Sequence, residues 1–103
     1  MRDVVWTRAA EADLQKVYED LEAFHEGSGE RFLLLVDASI QLLKQFPEMA
    51  PIFEAPVRRL LLNTGRHGLF YAIADRGIIL HALADLRRDP DELRQRFRQL
   101  ING

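Results

Sequence analysis

The chain has 103 residues, of which 48% are hydrophobic, and its 14 basic and 16 acidic side chains give a formal net charge of −2. This length and composition predict one domain over residues 1–103. The slight acidic excess argues against a general nucleic-acid-binding protein, although it allows a local basic patch. The chain has no cysteine, which excludes disulfides and thiolate chemistry. It also has no apolar run long enough for a signal peptide or a membrane span, so we expect a soluble, cytoplasmic protein.

The N-terminal half predicts a short strand followed by two helices. Residues 4–6 form a β-type run, and Thr7 is suited to cap the helix that follows. Apolar residues then recur at helical spacing in two stripes, which end at Phe24 and Phe46. A glycine turn separates the two stripes, and Pro47 ends the second helix. Two antiparallel helices joined by a short turn predict a helical hairpin.

The C-terminal half predicts a loop, three strands and a helix. Residues 47–56 hold three of the four prolines and predict the loop. Strands are predicted from residue 57, over 69–74 and over 78–84, with a tight turn at 75–77. A last helix begins after Asp89 and is expected to bury Leu93, Phe97, Leu100 and Ile101. The predicted class is therefore α+β: an N-terminal strand, a helical hairpin, a three-stranded antiparallel meander and a C-terminal helix.

The junction between the last strand and the last helix carries the most informative local pattern. Asp89 is placed as the N-cap, Pro90 fits the first helical position, and Glu92 follows the cap by three residues, as in a capping box. An ordered junction would hold Arg87 and Arg88 beside the strand end, where guanidinium groups are suited to recognise phosphate or carboxylate. The alternative is that they are solvated surface arginines, since most surface charges have no specific partner.

Four strings along the chain form a recognisable series: residues 5–14, residues 57–60, the strand Gly-Leu-Phe-Tyr-Ala-Ile at 68–73, and residues 79–90 with their Arg-Arg-Asp-Pro ending. In order and spacing they resemble the RelE/ParE superfamily of bacterial toxin–antitoxin toxins. The resemblance covers nearly the whole chain and implies a RelE/ParE-like fold. One position departs from the pattern, because the residue two before the arginine pair, commonly His in this family, is Asp85 here. A carboxylate cannot supply the cation or the proton shuttle that a histidine provides at neutral pH.

The resemblance implies one of two toxic activities. ParE-like members poison DNA gyrase by binding it, whereas RelE-like members cleave messenger RNA on the ribosome. The long helical hairpin, the scarcity of lysine and Asp85 at the motif position favour the ParE-like activity and a non-catalytic inhibitor. A non-toxic interaction module of the same fold is a third alternative. The residues expected to bind the target are Arg58, Arg59, Arg87 and Arg88.

RNA cleavage would require groups that deprotonate the 2′-hydroxyl, protonate the leaving oxygen and stabilise the phosphate. The candidates for this chemistry are Tyr71, His81 and Arg87. A three-residue turn at 75–77 would place Tyr71 opposite His81, although an ordinary structural contact between them is the other interpretation. His67 has no evident partner and is expected at the surface. None of the three histidines has metal-ligand spacing, so we expect neither a metal nor a cofactor.

The resemblance also implies a cognate antitoxin, usually a small protein whose disordered tail folds on the toxin to give a hetero-oligomer. Apolar residues outside the main helical stripes, and others in the proline loop, are the candidates for this contact. Packing within the domain is the alternative for the same residues. The antitoxin-binding candidates are Leu33, Leu34, Leu42, Met49, Ile52 and Phe53. DNA gyrase is the expected cellular target, and the ribosome with its mRNA is the alternative.

Overall fold

A five-stranded sheet lies between a helical hairpin and a single C-terminal helix. The computed structural model describes residues 3–102, with side chains as far as residue 100. The strands are β1 (Asp3–Trp6), β2 (Ile52–Glu54), β3 (Val57–Leu61), β4 (His67–Ala74) and β5 (Gly77–Asp85). The helices are α1 (Arg8–Phe24), α2 (Ser28–Gln45) and α3 (Pro90–Asn102). The predicted α+β class is confirmed. None of the helices described is long and apolar enough to cross a membrane.

The sheet has the strand order β1-β5-β4-β3-β2. The predicted meander of β3, β4 and β5 forms its antiparallel centre, and β1 pairs with β5 in parallel. The prediction of a loop over 47–56 is wrong at residues 52–54, which form β2 and pair with β3. The two strands are separated only by residues 55 and 56. Pro51 and Pro56 flank this short strand, and because prolines are typical of loops they concealed it.

The ends of the first helix follow local capping rules. The Thr7 hydroxyl accepts a hydrogen bond from the Ala10 N–H at 3.1 Å, which confirms the predicted N-cap. The turn into α2 passes through Gly27 at a φ of 89°, a left-handed conformation that favours glycine. The predicted stripes are wrong at their last residues: Phe24 is 89% exposed, and Phe46 is also exposed. Phe24 is the last residue of α1 and Phe46 the C-cap of α2, where the chain turns away from the core.

Two apolar cores lie on opposite faces of the sheet. The larger core packs the helical hairpin on one face, with Phe32 and Leu43 of α2 against Leu69 and Tyr71 of β4. The smaller core packs α3 on the other face and includes Phe70. Of the residues expected to be buried by α3, Leu93 and Phe97 are buried as predicted and Leu100 is exposed. The side chain of Ile101 lies outside the described residues.

Candidate functional site

Strands β4 and β5 place Tyr71 and His81 on opposite faces of the sheet. The turn between the strands has two residues, 75 and 76, and a register shift beside Tyr71 leaves His81 in a β-bulge while Tyr71 pairs with Leu80. Tyr71 faces the helical hairpin, whereas the ring centroid of His81 lies 6.4 Å from that of Phe97 on the α3 side. The prediction that Tyr71 faces His81 is therefore wrong, because the two-residue turn places Tyr71 opposite Leu80, whereas a three-residue turn would have placed it opposite His81.

The two side chains also have separate surroundings. The Tyr71 hydroxyl is buried and donates a hydrogen bond to the Pro47 carbonyl at 2.6 Å, and burial raises the pKa of this phenol. Burial lowers the pKa of His81, whose Nδ1 is enclosed without a hydrogen-bond partner among the described residues. The structure therefore does not bring Tyr71 and His81 together as an acid–base pair.

At the end of β5, the Asp85 carboxylate lies between two guanidinium groups. Its Oδ1 accepts hydrogen bonds from the Arg87 main-chain N–H at 2.8 Å and from Arg87 Nε at 3.1 Å. Its Oδ2 accepts from Arg87 Nη2 at 2.9 Å and from Arg66 Nη2 at 3.0 Å. Hydrogen bonding by Arg87 holds the pKa of Asp85 well below its usual range and raises that of Arg87 itself. Asp85, Arg66 and Arg87 thus form one ion-pair cluster, which we call the arginine clamp.

The other predicted target-binding arginines lie on both faces of the sheet. Arg88 lies 3.9 Å from Glu92, and Arg59 places its guanidinium 5.1 Å from the centre of the Phe53 ring. Arg59 and Arg88 line the same small cavity, of about 80 Å³, beside the start of α3. Arg58 instead donates to the main-chain carbonyls of residues 48 and 50 and ties the proline loop to β3. Arg59 and Arg88 are thus brought together, while Arg58 is engaged elsewhere.

His67 is buried, contrary to the prediction that it lies at the surface. It is the first residue of β4, is 5% exposed and pairs with Asp85 across the strands. Its Nδ1 is 2.9 Å from the Thr64 hydroxyl oxygen, and its ring packs edge-on against Phe32 at a centroid distance of 5.0 Å. Burial lowers the pKa of His67. The sequence could not indicate this burial, because it depends on Phe32 of α2, which lies far away along the chain.

A cavity of about 290 Å³ opens between α1 and the end of β5, next to the arginine clamp. Its lining carries both signs of charge and also includes apolar side chains. The cations are Lys16, Arg66, Arg87 and Arg88, and the carboxylates are Asp13, Asp20 and Asp85. His67 and the α1 residues were missed as site residues, because only the fold brings them to the arginine pair. Within residues 3–102, no group of three or more His, Asp or Glu side chains is arranged to hold a metal ion.

The candidates for antitoxin contact differ in exposure. Leu34 is 72% exposed, Leu42, Met49 and Ile52 are also exposed, and Leu33 is half-buried. Phe53 packs within the domain, because its ring contacts Phe70 and Phe97 edge-on and the Arg94 guanidinium lies 4.5 Å from its centre. The outer face of α2 therefore presents apolar side chains, whereas Phe53 belongs to the α3 core.

Comparisons with known proteins agree with this architecture. A solved structure described as the chromosomal ParDE TA system from P. aeruginosa matches with a TM-score of 0.72 and 20% sequence identity, over 84% of this chain and 98% of that chain. At this identity the match shows a shared fold, which is that of a chain in a ParDE toxin–antitoxin system. No curated protein matches the chain.

The family follows from a second comparison. Residues 4–90 match the family model described as the ParE toxin of the type II toxin–antitoxin system, parDE. Because this match covers most of the chain, the protein belongs to the ParE toxin family and is a ParE-type toxin of a type II toxin–antitoxin system. Membership in this family implies a cognate antitoxin as its partner.

Proposed function

We propose that this ParE-type toxin arrests growth by binding and poisoning DNA gyrase, without a catalytic step of its own. The separation of the acid–base candidates carries this proposal. Tyr71 is hydrogen-bonded inside one core, His81 faces the other core, and Arg87 is engaged by Asp85. RNA cleavage needs such groups within reach of one phosphate. Their separation favours action through a binding surface over ribosome-dependent RNA cleavage.

The proposed target-binding surface is the arginine-rich end of the sheet. Arg87 and Arg88 follow β5, and Arg59 lines the same cavity as Arg88. Guanidinium groups bind both carboxylates and phosphates, which are the groups that a gyrase–DNA complex presents. Arg58 remains in the proposed surface, but its guanidinium is engaged by loop carbonyls. We therefore assign Arg58 the task of holding the proline loop in place.

The proposed antitoxin-binding surface is the outer face of α2 with the loop that follows. Leu34 and Leu42 lie eight residues apart on one face of the helix, and Met49 and Ile52 extend the exposed apolar residues into the loop and β2. Exposed apolar stripes of this kind are suited to a partner segment that folds on binding. Leu33 lies at the half-buried edge of this surface, whereas Phe53 packs in the α3 core and anchors β2, which carries Ile52. Binding of an antitoxin segment to this surface would give the expected toxin–antitoxin hetero-oligomer.

Induced expression in a bacterial host tests the proposal against its alternatives. Gyrase poisoning traps cleaved DNA, so we expect chromosome breaks to appear before protein synthesis declines. Co-expression of the cognate antitoxin should suppress both effects. An early stop in protein synthesis with an intact chromosome would support RNA cleavage instead. Unimpeded growth, with the folded toxin accumulating in the cells, would support a non-toxic interaction module.

A further inference from the structure

The arginine clamp holds a carboxylate that belongs to the chain itself. Arg87 contacts both oxygens of Asp85, and Arg66 contacts the second one. We propose that Arg66 and Arg87 form a carboxylate-binding site for a protein partner, and that Asp85 occupies this site until an acidic residue of an extended partner segment replaces it. The segment carries an aliphatic residue beside the acidic one. This inference goes beyond the proposed function and does not depend on the identity of the toxin's target.

The exposure of the cluster makes the exchange feasible. The side chain of Arg87 is 72% exposed and that of Arg66 is 54% exposed. The side chain of Asp85 is 24% exposed, but both guanidinium groups are open to water, which weakens their ion pairs and lets a second carboxylate compete for them. The two arginines reach Asp85 from different segments, since Arg66 precedes β4 and Arg87 follows β5. A partner carboxylate that contacts both arginines therefore gains a fixed position on the surface.

Asp85 also has a local structural task that is separable from the clamp. Its Oδ1 accepts the main-chain N–H of Arg87, which is the hydrogen bond of an Asx turn at the end of β5. An asparagine keeps an oxygen for this turn but loses the negative charge that attracts the guanidinium groups. Asp85→Asn therefore removes the occupant of the proposed site while preserving the turn that supports it.

The adjoining cavity favours a carboxylate with an apolar neighbour over a phosphate chain. Asp13 and Asp20 line the cavity together with the cations, so its charges nearly balance and repeated phosphates would be repelled. Val17, Leu21 and Leu83 form an apolar lining beside the clamp. A short extended segment can place an acidic side chain in the clamp and an aliphatic side chain against this lining.

The test uses purified protein and a synthetic peptide, acetyl-Gly-Leu-Glu-Leu-Gly-amide, with the Gln version as the control ligand. Binding is followed by NMR shifts of the Arg66 and Arg87 Nε–H groups and of the Leu83 amide. Because a tethered carboxylate competes at high effective concentration, Asp85→Asn should lower the Kd for the Glu peptide by about tenfold. The matched control is Asp20→Asn, which removes an equal charge from the same cavity at a residue paired with Lys16.

We expect the gain in peptide affinity to occur only with Asp85→Asn and only for the Glu peptide. This gain should disappear when Arg66→Gln is added to Asp85→Asn. An equal gain with Asp20→Asn or with the Gln peptide would overturn the proposal, as would no gain at all. Inorganic phosphate binding as tightly as the Glu peptide at equal ionic strength would also overturn it. If Asp85→Asn fails to fold in a thermal melt, Arg66→Gln alone decides: weaker peptide binding supports the site, and unchanged binding overturns it.

Discussion

The carboxylate of Asp13 in α1 lies 3.1 Å from the guanidinium of Arg96 in α3, and this pair joins the two sides of the sheet around one strand edge. β1 pairs with β5 only as far as Leu80, so, within the described residues 3–102, residues 81–85 of β5 have no strand beside them on that edge of the sheet. Asp13 accepts the Leu83 main-chain N–H at 3.0 Å, and Arg96 donates to the His81 carbonyl at 2.7 Å. The two side chains thus satisfy main-chain groups that a longer β1 would otherwise have paired.

Replacement of Asp13 should destabilise the fold more than replacement of an exposed acid. Asp13→Ala leaves the Leu83 amide without its acceptor and removes one of the two acceptors of Arg96, which should cost about 1–3 kcal/mol in the free energy of unfolding. Asp20→Ala breaks only the exposed pair with Lys16 and should cost at most about 0.5 kcal/mol. Urea unfolding of both variants measures the difference, and equal losses would contradict the bridging role of Asp13.

The start of α3 should depend on the Asp89 side chain. Its Oδ1 accepts the Asp91 N–H at 2.9 Å, which confirms the predicted N-cap. The capping-box prediction is wrong, because the Asp89 side chain bonds Asp91 rather than Glu92, and the Glu92 carboxylate lies 3.9 Å from Arg88. Asp89→Ala should reduce the free energy of unfolding by about 1 kcal/mol, and Asp89→Asn by only a few tenths, because Asn also caps well. Thermal melts of the two variants test this difference. A melting temperature unchanged by Asp89→Ala would refute the importance of the cap.

The stability of the protein should fall on mild acidification. Burial lowers the pKa of His67 in the folded protein below its unfolded value of about 6.5. Between the two pKa values the unfolded chain binds more protons, so the contribution of His67 to stability is complete above about pH 6.5 and is lost as the pH falls toward the folded pKa. His67→Gln should flatten this part of the stability profile, measured by urea unfolding. Equal profiles for native protein and His67→Gln would contradict the prediction.

Charges on the outer face of α2 should weaken the antitoxin complex. Leu34→Glu with Leu42→Glu should raise the Kd for the cognate antitoxin at least about tenfold, because two exposed apolar contacts are replaced by charges that must be desolvated. Growth arrest should persist, since these residues lie outside the proposed target surface. The control is Phe24→Glu, which alters an apolar residue that is more exposed than Leu34 or Leu42 but lies at the end of α1. If the control weakens the complex as much as the double variant does, the proposed surface is misplaced.

The features that could be predicted from the sequence are those that depend on near neighbours. Thr7 and Asp89 cap their helices through hydrogen bonds that span three and two residues, so their positions follow from local composition. The element order likewise follows from apolar periodicity. The position of β2 depends on pairing with a neighbouring strand, which the prolines around it obscured.

The geometry of the site depends on distant contacts and could not be predicted in the same way. A turn one residue shorter than predicted pairs Tyr71 with Leu80 and leaves His81 on the other face of the sheet. His67 of β4 is buried by Phe32, which belongs to α2. The arginine clamp joins Arg66 to Asp85, which lie 19 residues apart in the sequence. The pattern around Arg87 could indicate an ordered junction, but not which carboxylate would lie there.

The central claim is tested most directly by incubating purified toxin with DNA gyrase, supercoiled plasmid and ATP, then digesting the proteins and measuring linear DNA. We predict linear product that requires both gyrase and toxin. Arg87→Ala with Arg88→Ala should reduce this product about tenfold or more while the protein stays folded. Arg76→Ala, an exposed arginine at the opposite end of β5, should leave it unchanged. Absence of linear DNA, from a folded toxin that still arrests growth, would contradict gyrase poisoning.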